Sequence, residues 1–226
     1  MGNLINGENE EHRGAVHALH LLVFFSDAVF AIVLTLLALE LRPPEGVENG
    51  GLMAALGHMT PHFVAFASSF GLISIFWAAH MAIMRRLTLF DWPVAWLNLV
   101  VLFTIALMPF ASALIGEHGV MGEAWRVYCV VLIAASMAQC GLVLAINRDK
   151  GRLTGGALAE DIRYRLLRAA SPGIAFSVGL ALSLAGMPDL AFLCWLLFPP
   201  ILIIDHWLFG PKKAKPAPAE ADAVEA

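Results

Sequence analysis

Residues 25–41 read FSDAVFAIVLTLLALEL, the main part of an apolar stretch of about Leu21–Leu41 that is long enough to cross a bilayer. A Ser26-Asp27 pair is set into its first third. An aspartate at the centre of a membrane helix costs about 2.5 to 3.5 kcal/mol on insertion scales. An anchor does not need such a residue, so the segment is expected to do more than hold the chain in a membrane.

The rest of the chain belongs to the same setting. Its 226 residues are 59% hydrophobic and 14% charged, against about 25% charged in soluble domains, and the mean hydropathy is +0.76. This is the composition of an integral membrane protein. The net charge of −4 says little, because the charges are confined to loops and tails. Cys129, Cys140 and Cys194 all fall in apolar runs and form no CxxC pair, so they read as small buried hydrophobes. The acidic N-terminus and the length of the first apolar run do not suit a secretory signal.

Six segments approach the roughly 20 residues needed to span a bilayer. They are about Leu21–Leu41, Pro61–Met84, Pro93–Leu114, Glu123–Ile146, Leu166–Ala185 and Leu190–Phe209. Thr60 is expected to N-cap the second, with Pro61 at its first position. Pro199 and Pro200 are expected to kink the sixth. Residues 1–16 read as a cytoplasmic N-terminal segment, 17–210 as a six-helix unit, and 211–226 as a disordered cytoplasmic tail.

Orientation follows from the basic residues. Arg13 precedes the first span, and Arg85 and Arg86 lie between the second and third. A group from Arg148 to Arg168 lies around the loop between the fourth and fifth, and Lys212, Lys213 and Lys215 follow the sixth. Only Arg42 and Arg126 fall on the other side. The positive-inside rule then puts both termini in the cytoplasm. Trp92, Trp96, Trp125 and Trp207 lie near span ends and read as interface anchors, whereas Trp77 lies deeper. There is no P-loop, nucleotide fingerprint, HExxH or nucleophile–base pair at workable spacing. No enzyme, cofactor, metal or nucleic-acid partner is therefore expected. The expected fold is all-α, with six transmembrane helices.

Helical geometry divides the first span into faces. Ile32, Thr35, Leu36 and Leu39 fall at i, i+3, i+4 and i+7 and share one face. Asp27 lies about 140° from Ile32 at about 100° per residue, so it points away from that stripe. Taken alone, the stripe reads as ordinary helix packing. Asp27 needs partners, because a buried charge must be paired or hydrogen-bonded. Candidates at similar depth are Ser26 beside it, Trp77 and His80 on the second span, and Asn98 on the third. The cluster reads either as a proton-linked site or as a hydrogen-bonded clamp joining three helices, and the stripe geometry favours the clamp.

These same residues resemble a known family. Phe25-Ser26-Asp27 with Ala28 to Ile32, Thr35 and Leu36 is similar to the first-helix signature of the transmembrane protein 175 family, potassium-permeable channels of prokaryotes and lysosomes. Phe76-Trp77-Ala78-Ala79-His80 resembles the Phe-Trp-x-x-His of its second helix. Trp96-Leu97-Asn98-Leu99 and Met108-Pro109-Phe110 resemble its third. The resemblance covers about residues 17–115. One position departs: the family's motif has arginine four before the phenylalanine, where this chain has Leu21, next to His20. A histidine there, His17 or His20, would carry a charge that varies near neutral pH.

The resemblance implies a homo-oligomer, four copies by family expectation, whose first helices line a pore. It places the constriction on Ile32, Thr35, Leu36 and Leu39, the stripe already found by angle. It assigns the aspartate, here Asp27, to an interhelical network. A ring of narrow apolar side chains gates by excluding water, unlike a carbonyl-lined filter. Potassium gives up its hydration shell more readily than sodium, so stripping favours it, and the Thr35 hydroxyl either offers replacement oxygens or back-bonds to the Ala31 carbonyl. The implied function is a potassium-permeable cation channel in a prokaryotic inner membrane, with potassium ions, lipid and other copies of itself as partners. The alternative is a proton-coupled transporter relaying through Asp27 and His80. Weaker signals are His58 with His62 at the outer side, Glu40 and Arg42 at the outer mouth, and Asp205 with His206 near the inner end of the sixth span.

Overall fold

The computed structural model describes residues 2–44, 51–119, 122–148, 152–154, 162–191 and 194. Among them the chain is helical throughout. The elements are α1 (Gly2–Leu39), α2 (Leu52–His58), α3 (Thr60–Met84), α4 (Trp92–Ala106), α5 (Met108–His118), α6 (Glu123–Ile146), a 3-10 turn (Arg152–Thr154), α7 (Ile162–Leu184) and the short α8 (Pro188–Ala191). Among the described residues five stretches are long and apolar enough to span a membrane: Arg13–Leu39, Thr60–Met84, Trp92–His118, Glu123–Ile146 and Ile162–Leu184. The sixth expected span, with Pro199 and Pro200, lies almost wholly outside the described residues. So do Asp205, His206, Trp207 and the tail.

Local chemistry sets most helix ends. Asp91 adopts extended backbone (φ −143°, ψ 127°), and its carboxylate accepts from Val94 N at 3.3 Å, with Pro93 in the first turn of α4. This is an N-cap followed by the residue whose missing N–H costs nothing there. Gly186, at φ 78°, ends α7. Met187 N bonds back to Leu182 O at 3.0 Å, closing a reversal that a side chain would strain. Thr60 does not cap α3 as expected. It is the first helical residue, and its hydroxyl donates backward to Gly57 O at 2.7 Å, because α2 already occupies the approach.

Two prolines act inside spans. The third span is not one helix. It extends to His118 and breaks at Leu107, where Leu107 N turns to Thr104 O at 3.3 Å. Pro109 has no N–H for the Ile105 carbonyl and its ring crowds that turn, so the i−4 ladder cannot continue through. Pro172 lies within α7 without ending it. The Arg168 carbonyl, which would have accepted from residue 172, accepts instead from the Ser171 hydroxyl at 3.0 Å.

α6 and α7 pack most closely, with α6 also against α4 and α5, while α1 lies across α3, α4 and α5. At the α6–α7 crossing, a Cβ on Gly173 would stand 2.7 Å from Ser136 Cβ, so that approach requires glycine. At one end of the bundle, Thr88 donates its N–H and its hydroxyl to Leu153 O at 2.9 and 3.1 Å. Arg165 Nη1 donates to Ala82 O at 3.0 Å. The loops that carry Arg85, Arg86 and Arg152 therefore share one end.

Candidate pore-lining helix and its polar anchor

α1 has two sharply different faces. Ser26, Phe30, Val33 and Leu37 fall within an arc of about 60° at about 100° per residue, and all four are buried in the bundle. Ile32, Leu36 and Leu39 are 56%, 41% and 71% exposed on the far side, and Thr35 is exposed among them. The apolar face continues toward the N-terminal side of α1 through Leu21 and Phe24. α1 is also the least covered span. Only 22% of its most apolar window is buried, against 33% to 56% for the others. A helix this apolar and this little covered must meet lipid or another copy of the chain along the stripe.

The buried face is held by polar contacts. Trp77 Nε1 donates to Asp27 Oδ1 at 2.9 Å, joining α3 to α1. Asn98 Nδ2 donates to Ser26 Oγ at 2.9 Å, joining α4 to α1, while the Ser26 hydroxyl donates to Leu22 O at 2.8 Å. Both ends of the second pair are fully buried. His80 is 1% exposed, and its ring lies against Phe30 of α1 with centroids 5.4 Å apart. Neither imidazole nitrogen has a hydrogen-bond partner among the described residues. Ser26, Asp27, Trp77, His80 and Asn98 thus gather at the rear of α1, opposite the stripe. Carboxylate and indole form a charge-assisted bond, stronger than a neutral pair, and both groups are half-buried.

Thr35 settles its local alternative in an unexpected register. Its hydroxyl donates to Ile32 O at 2.7 Å, one residue short of Ala31. With its proton committed to the backbone, the oxygen presents only lone pairs outward, which suits a cation rather than an anion.

The clefts beside α1 place the weaker candidates. A cleft of about 370 Å³ toward the N-terminal side of α1 is lined by His20, Asp27 and Arg85, among others. Arg85, at the end of α3, thereby brings a positive charge to the cleft on which Asp27 opens, while Leu21 is 55% exposed on the stripe side. A cleft of about 190 Å³ at the C-terminal end of α1 is lined by Glu40, Arg42, His62 and Glu117, among others. His58 ends α2 and His62 sits in the first turn of α3, so they do not share a continuous helix. No group of three His, Cys, Asp or Glu among the described residues is placed to hold a metal ion.

Two readings differ from the structure or were missed. Trp125 is not an interface anchor: it is 1% exposed and stacks on Tyr128 with centroids 6.1 Å apart, beside Phe176. Trp92 and Trp96 are 68% and 65% exposed, as anchors would be. The missed residues lie on α6. Tyr128 Oη pairs with Ser69 of α3 at 3.0 Å. Gln139 and Ser136, both buried, have side-chain polar atoms with no partner among the described residues. Their signal in the sequence is three polar residues at helical spacing within an otherwise apolar span.

Comparison with known proteins matches residues 21–109 to the family model described as endosomal/lysosomal potassium channel TMEM175. A potassium channel of Streptomyces collinus is 34% identical over 167 residues, which cover 70% of this chain and 79% of that protein. The human endosomal/lysosomal proton channel TMEM175 is 31% identical over 130 residues, but the chain spans about a quarter of its length (26%). Among solved structures, that of a lysosomal potassium-selective channel TMEM175 homolog from Chamaesiphon minutus superposes with a TM-score of 0.67 at 27% identity. The match covers 84% of this chain and 98% of that one.

Proposed function

The chain belongs to the TMEM175 family, and on that premise we propose that it is a potassium-permeable channel whose pore is lined by α1. Several copies, four by family expectation, surround one axis. Both termini are cytoplasmic, in a prokaryotic inner membrane. The observation that carries this reading is the orientation of α1. Its polar side is tied down inside the protomer by Trp77 and Asn98, and its stripe of Ile32, Thr35, Leu36 and Leu39 is left uncovered.

The physics of such a pore is dewetting. Rings of Ile32, Leu36 and Leu39 at narrow radius expel water and block ions, and widening lets an ion pass with part of its shell removed. Thr35 lone pairs, turned out by the bond to Ile32 O, replace some of that shell. The grouping of the basic loops at one end, together with the positive-inside rule, supports the orientation. A transporter relaying through Asp27 and His80 has less support, because Asp27 accepts from Trp77 and no hydrogen bond joins it to the imidazole.

The test is reconstitution of the purified chain in planar bilayers with potassium, sodium and proton gradients in turn. Unitary currents that reverse near the potassium equilibrium potential are expected. Saturable, pH-driven uptake without unitary steps would overturn the channel reading.

A further inference from the structure

Behind the pore-lining helix, one hydrogen bond between buried side chains joins α3 to α6. Ser69 Oγ meets Tyr128 Oη at 3.0 Å, a pair 59 residues apart. His80 and Gln139, both buried, each lie eleven residues further along, three turns or about 16 Å. At that level the His80 ring lies against Phe30 of α1, one turn beyond Ser26. There the His80 imidazole faces the Gln139 and Asn98 amides.

His80 Nδ1 and Nε2, both amide atoms of Gln139, and Ser136 Oγ are buried with no hydrogen-bond partner among the described residues. In a lipid-enclosed interior such groups are costly to leave unmade. Their inventory is complementary. An imidazole with one proton offers one donor and one acceptor, and an amide offers two donors and an acceptor. Asn98 gives its N–H to Ser26 and keeps carbonyl lone pairs, the Ser26 proton being committed to Leu22 O.

We propose that Gln139 is a positioning residue of the channel, holding the His80 imidazole so that it bridges to Asn98. The Gln139 amide donates to one ring nitrogen and the other donates to Asn98 Oδ1. Ser136, one turn earlier on α6, donates to Gln139 Oε1. The chain Ser136–Gln139–His80–Asn98–Ser26 then crosses α6, α3, α4 and α1. It reaches α1 at two points of its rear face, Ser26 by hydrogen bond and Phe30 through the ring contact at 5.4 Å. Both lie opposite the Ile32 stripe, so α6 helps to fix how far the stripe stands from the pore axis. This last step rests on the reading of α1 as the pore-lining helix.

The experiment uses the full-length channel in lipid vesicles, labelled with 15N-histidine, with the His80 resonances assigned by their loss in His80→Asn. Potassium flux and potassium-over-sodium selectivity are measured on the same samples. Gln139→Met preserves volume and removes the amide; Gln139→Glu restores a polar partner of the same length. The expected result is that Gln139→Met moves the His80 ring-nitrogen resonances to unbonded positions and changes flux about fivefold, the factor one hydrogen bond contributes to an equilibrium. Gln139→Glu is expected to reverse much of both changes. Imidazole resonances at unbonded positions in the wild type overturn the proposal, and so does a ring shift in Gln139→Met with unchanged flux. Ile32→Asn, run alongside, separates the two readings. If it alters selectivity while Gln139→Met has no effect on flux, the positioning role fails. If neither has an effect, the pore assignment itself has failed.

Discussion

Trp77 and Asp27 meet across the α1–α3 boundary, the indole N–H donating to the carboxylate at 2.9 Å. The bond fixes the rotation of α1 about its own axis. With Asp27 turned toward α3 and Ser26 toward α4, Ile32, Leu36 and Leu39 have nowhere to point but outward. The costly residue of the segment thereby decides which apolar face is free.

Removing the indole donor tests this. Trp77→Phe keeps the apolar ring and leaves Asp27 Oδ1 without its partner. A hydrogen bond to a charged group contributes about 1.5 to 3 kcal/mol, so the assembled channel is expected to lose stability on that scale. A fall in the melting temperature of the detergent-solubilised protein is the measurement. An unchanged melting curve would mean that the bond does not secure α1.

Ser26 and Asn98 are expected to act as a unit. Ser26→Ala leaves the buried Asn98 amide short of an acceptor, at a cost of about 1 to 3 kcal/mol. Asn98→Leu after Ser26→Ala is expected to cost much less than Asn98→Leu alone. A double-mutant cycle on unfolding free energy reads this coupling directly; strict additivity contradicts the 2.9 Å bond between them.

The two faces of α1 predict opposite phenotypes. Ile32→Asn and Leu39→Asn would wet the proposed constriction, so basal potassium flux in loaded liposomes is expected to rise and discrimination against sodium to fall, while the protein still assembles. Val33→Asn, on the buried face, is expected to reduce folded yield instead, because it buries an unpaired amide. Unchanged flux and selectivity in both stripe variants would remove the stripe from the pore.

Proximity at the axis can be read by crosslinking. In a background with Cys129, Cys140 and Cys194 replaced, Leu36→Cys is expected to give disulfide-linked dimers on oxidation, and Leu37→Cys none. Disulfides require Cα atoms within about 7 Å. Crosslinks from both positions, or from neither, would place α1 away from the symmetry axis.

Gly173→Ala is expected to destabilise the bundle. Its new Cβ would lie 2.7 Å from Ser136 Cβ, so α6 and α7 must separate, a type of overpacking that costs about 1 to 3 kcal/mol. The thermal unfolding temperature should fall; an unchanged one would mean that the crossing accepts a methyl group.

Much of this was legible in the chain itself. The membrane setting, span boundaries such as Glu123–Ile146, and the division of α1 into an Asp27 side and an Ile32 side all follow from composition and from 3.6-residue periodicity. These are local properties, fixed by how far a helix rises and turns per residue. The break at Leu107 could have been read from Pro109, yet an unbroken apolar run hid it.

What the tertiary structure decided is which groups meet. In a bundle that is apolar on every side, hydrophobicity does not mark the buried face, because lipid accepts the same side chains as a protein core. Trp125 therefore read as an interface anchor although it is packed inside, and Gln139 passed unnoticed although it is fully buried. Only polar atoms carry an obligation to pair, and their partners come from helices distant in sequence. The sequence determined that Asp27 needed a partner inside the membrane. The packing of α3 and α4 on α1 chose Trp77 for Asp27 and Asn98 for Ser26, and so turned the stripe from Ile32 to Leu39 outward.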